Sequence, residues 1–239
     1  MKHRRRFVTA LSAVFLSATS LTAAAHETDA AFEERVRTFL MENPEVILDA
    51  MTALSEREIQ AAQSRAIAAF PELFTDPAAL GMGEADAPVR VVEFFDYKCV
   101  PCKTMHPGLK KLVDETPDMR IEMRQLPILS PESERGARFA LAVKEVAGNE
   151  AYARVHDRLW DLRGPLNQGM FGQIALDEGL DWPSVDAAMD SDAVTARIDR
   201  NRDIAIALEI LGTPAFVTPR TVTFGQSDIP ALAEDWLSQ

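Results

Sequence analysis

The sequence predicts an α/β domain with a helical insertion, preceded by an α-helical arm. Three observations carry this reading. An apolar run, Val89–Phe95, is followed by a helical pattern and then by a second strand pattern over 119–126. From about residue 130 to 211 the chain is patterned for helices and shows no strand. A long helical pattern also precedes the first strand. With 239 residues, 47% of them hydrophobic and 26% charged, the chain can bury one large core and still carry an appendage.

The first 25 residues are read apart from the fold. Lys2, Arg4, Arg5 and Arg6 form a basic start, 7–21 a short apolar stretch, and Ala23-Ala24-Ala25 a small-residue cleavage site. That is the pattern of a cleavable signal peptide, too short for a membrane span. Arg4-Arg5-Arg6-Phe7 also loosely fits a twin-arginine signal, but an ordinary export signal fits better. The expected location is periplasmic or otherwise exported, with no membrane insertion. The leader holds four of the 25 bases and none of the 37 acids, so the rest of the chain has a net charge of −16. Such a charge argues against nucleic acid as a partner.

Residues 26–82 read as a helical arm and linker. Phe32, Val36, Phe39 and Leu40 recur at helical spacing, and Asn43-Pro44 ends that piece. A second helix is expected over 45–70, with Ile47, Leu48, Met51, Leu54 and Ile59 on roughly one face. Such a stripe needs cover, either from its own domain or from the same arm of another copy. Its place ahead of the first strand, and the Pro-, Gly- and Asp-rich stretch 71–88, favour an oligomerisation arm.

Residues 83–239 read as the main domain, with its helical insertion at about 130–211. Val89–Phe95 suits a central strand covered on both faces. A helix follows the cysteines to about Thr116, and strand 119–126 completes a βαβ unit, its Ile121, Met123 and Gln125 alternating with charged neighbours. Helices are then expected over 131–147, 151–162, 171–178, 183–189 and 193–211. A hairpin turned at Pro219-Arg220 and a closing helix over 229–237 finish the chain.

Cys99-Val100-Pro101-Cys102 contains the only two cysteines, at a strand-to-helix junction. A helix starting near Cys99 would aim free N–H groups and its positive end at that sulfur, favouring the thiolate that attacks disulfides. Cys102, one turn on, could attack back and release a mixed disulfide. Cys99 is therefore expected as the exposed nucleophile and Cys102 as the buried resolving thiol. Glu93, six residues before Cys99, is expected beneath the pair, its pKa raised by burial so that it can exchange a proton with Cys102; the alternative is a strand-end glutamate reaching solvent. Asp96 reads as a surface residue or local cap, and His106 as a surface or first-turn histidine. Gly212-Thr213-Pro214-Ala215-Phe216 suggests a tight approach to an edge strand, where a cis Pro214 would offer backbone groups beside the sulfurs to an extended peptide. The sequence leaves the isomer open.

Zinc is disfavoured for want of further ligands, and haem attachment because Lys103 follows Cys102. No cofactor is expected. Copper(I) held by the two thiolates, with Met105 or His106 nearby, is the competing chemistry. An inert structural disulfide is rejected because so short a loop constrains the unfolded chain little.

Together, Val91-Val92-Glu93-Phe94-Phe95-Asp96-Tyr97, the Cys99–Cys102 motif with Lys103, Leu126-Pro127-Ile128-Leu129 and Gly212-Thr213-Pro214-Ala215-Phe216 resemble the DsbA branch of the thioredoxin superfamily. The arm around 36–46 is similar to the N-terminal helices of the ScsC-like subgroup. The resemblance implies a thioredoxin fold with its helical insertion at about 130–211. It implies that Cys99 is the nucleophile, that Cys102 resolves, that Glu93 moves protons, and that Thr213 and a cis Pro214 touch substrate. It further implies an exported thiol–disulfide oxidoreductase acting on unfolded or misfolded exported proteins, served by a membrane redox partner. Two departures matter. Val100-Pro101 lacks the histidine of strongly oxidising relatives, so the potential is expected within about −120 to −270 mV but away from the oxidising end. Thr213 ahead of the proline resembles isomerases and ScsC-like proteins. If the arm makes a homo-oligomer, isomerase capability follows; a monomer would be a dithiol oxidase.

Overall fold

In the computed structural model, residues 29–76 and 79–238 are described, so the expected leader lies outside them. The chain divides into two units between Thr52 and Ala53.

The first unit holds α1 (Asp29–Glu42) and the beginning of α2 (Glu45–Ala68). Both the backbone and side-chain N–H groups of Asn43 donate to Phe39 O, each at 2.9 Å, closing α1, and Pro44 leads into α2. No residue of α1 is buried. Phe32, Phe39, Ile47 and Met51 all stay at least 47% exposed.

In the second unit, the end of α2 buries Ile67 among Phe94, Ile204 and Val217. The stretch 71–88, expected as linker, is more structured than its composition suggests. It contains α3 (Glu72–Thr75), whose Leu73 is wholly buried, and β1 (Leu80–Met82). These short pieces owe their form to tertiary partners: β1 pairs antiparallel with β3 (Met119–Gln125), Leu80 opposite Met123.

β2 (Val89–Phe95), α4 (Val100–Glu115) and β3 form the expected βαβ unit, with β2 and β3 parallel and Val91 opposite Ile121. β4 (Ala215–Val217) and β5 (Val222–Phe224) form the hairpin, and β4 pairs antiparallel with β2. The sheet order is β1-β3-β2-β4-β5, which places β2 at the centre. Its last five residues are all buried, Glu93 included. β3 departs from the expected alternation, because Glu122 and Arg124 are buried too. Their charges are matched: Arg90 and Arg120 donate to Glu122 at 2.7 and 3.1 Å, and Arg124 pairs with the Asp76 carboxylate at 3.7 Å while donating to the backbone Glu72 O at 2.8 Å.

The insertion comprises α5 (Pro131–Asp161), α6 (Gln168–Asp177), α7 (Trp182–Ala188) and α8 (Asp192–Ala207). α5 is kinked where two helices were expected, at Gly148 with φ 83°. Ser130, Asn167 and Ser191 cap α5, α6 and α8 by accepting the N–H three residues on. α8 stops earlier than expected, Leu208 closing it and Glu209 taking φ 56°. α9 (Ile229–Leu237) lays Leu232 and Trp236 on the sheet, Trp236 against Phe216 at 5.3 Å.

Candidate active site

The end of β2 delivers the chain to α4 through Asp96-Tyr97-Lys98, and Cys99 is the N-cap of α4. A cap residue has extended backbone and turns its side chain back to free N–H groups. Cys99 does this with sulfur: φ is −73°, ψ is 113°, and Sγ accepts the Cys102 N–H at 3.3 Å. Pro101 lies in the first turn, where its missing N–H costs nothing. Both cysteines are free thiols, and Cys99 Sγ donates to Thr213 O at 3.2 Å. The Thr213–Pro214 peptide is cis.

Cys99 is less open than an exposed nucleophile should be. Only 3% of it reaches solvent, because the Thr213 loop lies over the sulfur, and Cys102 is wholly buried. The two thiols nevertheless differ sharply. Hydrogen bonding from the Cys102 thiol pulls Cys99 down to about 6 against the effect of burial. The Cys102 N–H adds to this. Burial, and then the hydrogen bond given to Cys99, push the Cys102 thiol far above its ordinary value. At neutral pH one sulfur is a ready thiolate and the other a held thiol.

Glu93 is 1% exposed, so it does not reach solvent. It sits opposite Met123 and Phe216 in the sheet, and its Oε1 has no partner. Burial, and secondarily the charge of Cys99, raise its carboxyl to about 8. The same proximity lets Glu93 push Cys102 upward. Cys99, Cys102, Glu93 and Thr213 are thus coupled in one place, with Pro214 bonded to Thr213. Beside Thr213 lies a groove of 480 Å³ that includes Leu211 and Phe224, which are 91% and 50% exposed.

Two residues differ from expectation. Asp96 is buried, and it caps: its carboxylate accepts N–H groups of Lys98, Ile128 and Leu129 at 2.8, 3.0 and 3.1 Å. It thereby ties the turn before Cys99 to the segment after β3. His106 is buried as well, stacked on Trp160 at 5.0 Å, because α5 covers that side of α4.

A polar cluster behind the dithiol escaped the sequence reading. His156 is buried with Tyr97 and Tyr152 oxygens 2.8 and 3.2 Å from Nδ1, and Trp160 Nε1 donates to Nε2 at 2.7 Å. Indole N–H can only donate, so Nε2 accepts and Nδ1 carries the proton. Burial lowers the His156 pKa well below its usual value, which keeps it neutral. The spacing of Tyr152, His156 and Trp160, four residues apart on one helix, was the available signal.

A dithiol capping a helix beside a cis Thr-Pro loop is the site arrangement of a thioredoxin-type domain. Residues 90–236 match the DSBA-like thioredoxin domain, and residues 29–62 match the copper resistance protein ScsC N-terminal domain. The chain belongs to the DSBA-like thioredoxin family. It is 33% identical to a thioredoxin-like oxidoreductase from Silicibacter pomeroyi, covering 70% of this chain and 95% of that one with a TM-score of 0.65. It is 25% identical to a linker-deletion mutant of Proteus mirabilis ScsC, covering 90% and 99%, with a TM-score of 0.67. Among curated proteins it is 30% identical to a probable disulfide bond formation protein D of Bacillus anthracis, over 37% of this chain and 39% of that one. It is 28% identical to the Na(+)/H(+) antiporter NhaA 1 of Salinispora arenicola, over 63% and 23%. The chain thus spans less than half the length of these curated relatives.

Proposed function

We propose that this chain is an exported disulfide exchange enzyme that works on folding proteins through Cys99 and Cys102. The observation that carries the proposal is the split of the pair, with Cys99 held down to about 6 and Cys102 pushed up. Cys99 as thiolate attacks one sulfur of a substrate disulfide and expels the other as a thiolate. Cys102 then attacks Cys99 of the mixed disulfide, closing the Cys99–Cys102 disulfide and expelling the substrate's second sulfur as a thiolate, and Glu93, in the fraction ionised near neutral pH, takes the Cys102 proton. Run backward, the same steps oxidise a substrate dithiol, and a membrane redox partner would restore the disulfide. Thr213 and Pro214 present backbone to the extended substrate.

In this reading residues 1–25 are a removed signal peptide and the enzyme is periplasmic. The expected arm and linker of 26–82 contribute the oligomerisation arm up to Thr52, and their later part, with Ile67, Leu73 and β1, joins 83–239 in the catalytic domain. The likeness of 29–62 to the ScsC N-terminal domain supports the arm, and several dithiols on one assembly would give isomerase capability. Cys99→Ser should abolish both oxidation of a dithiol peptide and reduction of insulin, while Cys102→Ser should accumulate mixed disulfides with substrate. Exchange that survives in Cys99→Ser overturns the proposal.

Copper(I) held between two thiolates is a second reading, favoured by the adjacency of the low-pKa sulfur to its partner and by the name of the domain matched over 29–62. Among the described residues no group of three or more His, Cys, Asp or Glu side chains could hold a metal. Tight copper(I) binding by a chain without exchange activity would establish this reading over the first.

A further inference from the structure

The neighbours of Cys99 open onto a second cavity, away from the residues that line the Thr213 groove. It has a volume of 610 Å³ and lies between the first turns of α4 and the end of α5. Lys98 and Val100, the two residues bonded to Cys99, both line it. Val100 is 71% exposed and, with Trp160, gives the cavity an apolar wall.

The charged groups are uneven. Lys98, Lys103 and Arg163 face one lining carboxylate, Asp161. Lys98 is paired with Glu132 at 2.8 Å. Lys103 gives two hydrogen bonds to Leu159 O and Leu162 O, at 3.4 and 2.5 Å, which leaves one of its three donors. Arg163 is exposed and has no partner among the described residues. Burial first, and then the charges of Lys98 and Arg163, lower the Lys103 pKa, so these cations are close enough to repel. An anion in the cavity would relieve that repulsion. Such crowding is notable on a chain whose net charge is −12.

We infer that this cavity is a substrate subsite that takes an acidic side chain next to the cysteine under exchange. The inference rests on the proposed exchange activity and adds a preference to it. An extended polypeptide advances about 3.3 Å per residue, so a carboxylate within about two residues of a cysteine at Cys99 reaches a cavity that begins at Lys98 and Val100. Val100 and Trp160 would cover its methylenes, and Lys103 and Arg163 would take its charge.

The test uses the full oxidised protein and three dithiol peptides identical except for Glu, Gln or Lys beside the reacting cysteine. Each peptide gives up two electrons and two protons to the Cys99–Cys102 disulfide and becomes a cyclic disulfide, which is followed by chromatography after acid quench. The Glu peptide should react about two- to fivefold faster than the Gln peptide at low salt, an advantage that shrinks at high salt. In Arg163→Glu the order should invert, with the Lys peptide fastest. Only ratios within each protein are compared, so a general loss of activity in the variant cancels. The net charge alone favours the Lys peptide, and equal rates or a Lys preference in the parent protein would overturn the subsite while leaving the exchange reading intact. If no peptide is oxidised, the exchange reading falls and the subsite falls with it.

Discussion

At the scale of single residues, Cys99 and Glu93 hold opposite positions on the pH axis. Burial and then the charge of Cys99 push Glu93 up, whereas hydrogen bonding from Cys102 holds Cys99 down against burial. Alkylation of the reduced protein should therefore rise with pH around a midpoint near 6, well below an ordinary thiol, as followed with iodoacetamide. Glu93 acts on stability in the other direction. Below its unfolded value of 4.5 the carboxyl is neutral in both states and adds no pH dependence. Between 4.5 and about 8 the unfolded chain releases the proton while the folded one keeps it, so stability falls as pH rises. Glu93→Gln removes that slope and should be more stable than the parent by about 3 kcal/mol at pH 7, and by little at pH 4, in urea titrations. The same variant should lose roughly a hundredfold in exchange if Glu93 carries the Cys102 proton. Cys99, Cys102 and Glu93 stood out in the sequence because each breaks a local pattern: a lone cysteine pair and one acid inside an apolar run. Asp96 and His156 did not, since Ile128 and Leu129 lie 32 and 33 residues from Asp96 and Tyr97 lies 59 from His156, and only folding brings these together.

Among the elements, those fixed by local signals were legible and those fixed by partners were not. β2 and the caps of the insertion helices follow from runs and capping residues within a few positions. α3 and β1 carry Pro- and Gly-rich flanks that suit a linker, and their structure comes from β3 and from the core that Leu73 enters. β3 looked half-exposed because Glu122 and Arg124 are charged, and pairing with Arg90 and Asp76 is what allows their burial. The kink in α5 rests on one residue. Gly148 has φ 83° and ψ −175°, a region open essentially to glycine, and an added Cβ would meet nothing within 4 Å. Gly148→Ala therefore tests backbone conformation free of clash. It should lower stability by about 1–3 kcal/mol, seen as a lower urea midpoint at unchanged slope, without altering the alkylation midpoint of Cys99.

At the scale of the whole molecule, the remaining issue is what covers the arm. Phe32, Val36, Phe39, Ile47, Leu48 and Met51 are all at least 40% exposed, more apolar surface on two helices than an isolated chain in water comfortably keeps. In contrast, Ile67 is buried with the catalytic core, and Ala66 and Phe70 pack against it. A truncation that reaches Phe70 would damage the fold and confound the question. The informative cut follows Thr52, at the division between the two units. The protein from residue 26 onward should scatter light as a dimer or trimer, and the protein from Ala53 onward as a monomer. The activities should separate with the mass. Oxidation of a dithiol peptide needs one Cys99–Cys102 pair and should survive truncation. Reshuffling of a scrambled protein needs repeated attack on a substrate held among several pairs, and should be lost. If both forms have the same mass, the arm has no part in assembly; if the truncated monomer still reshuffles, isomerisation belongs to the single dithiol and its Thr213 loop.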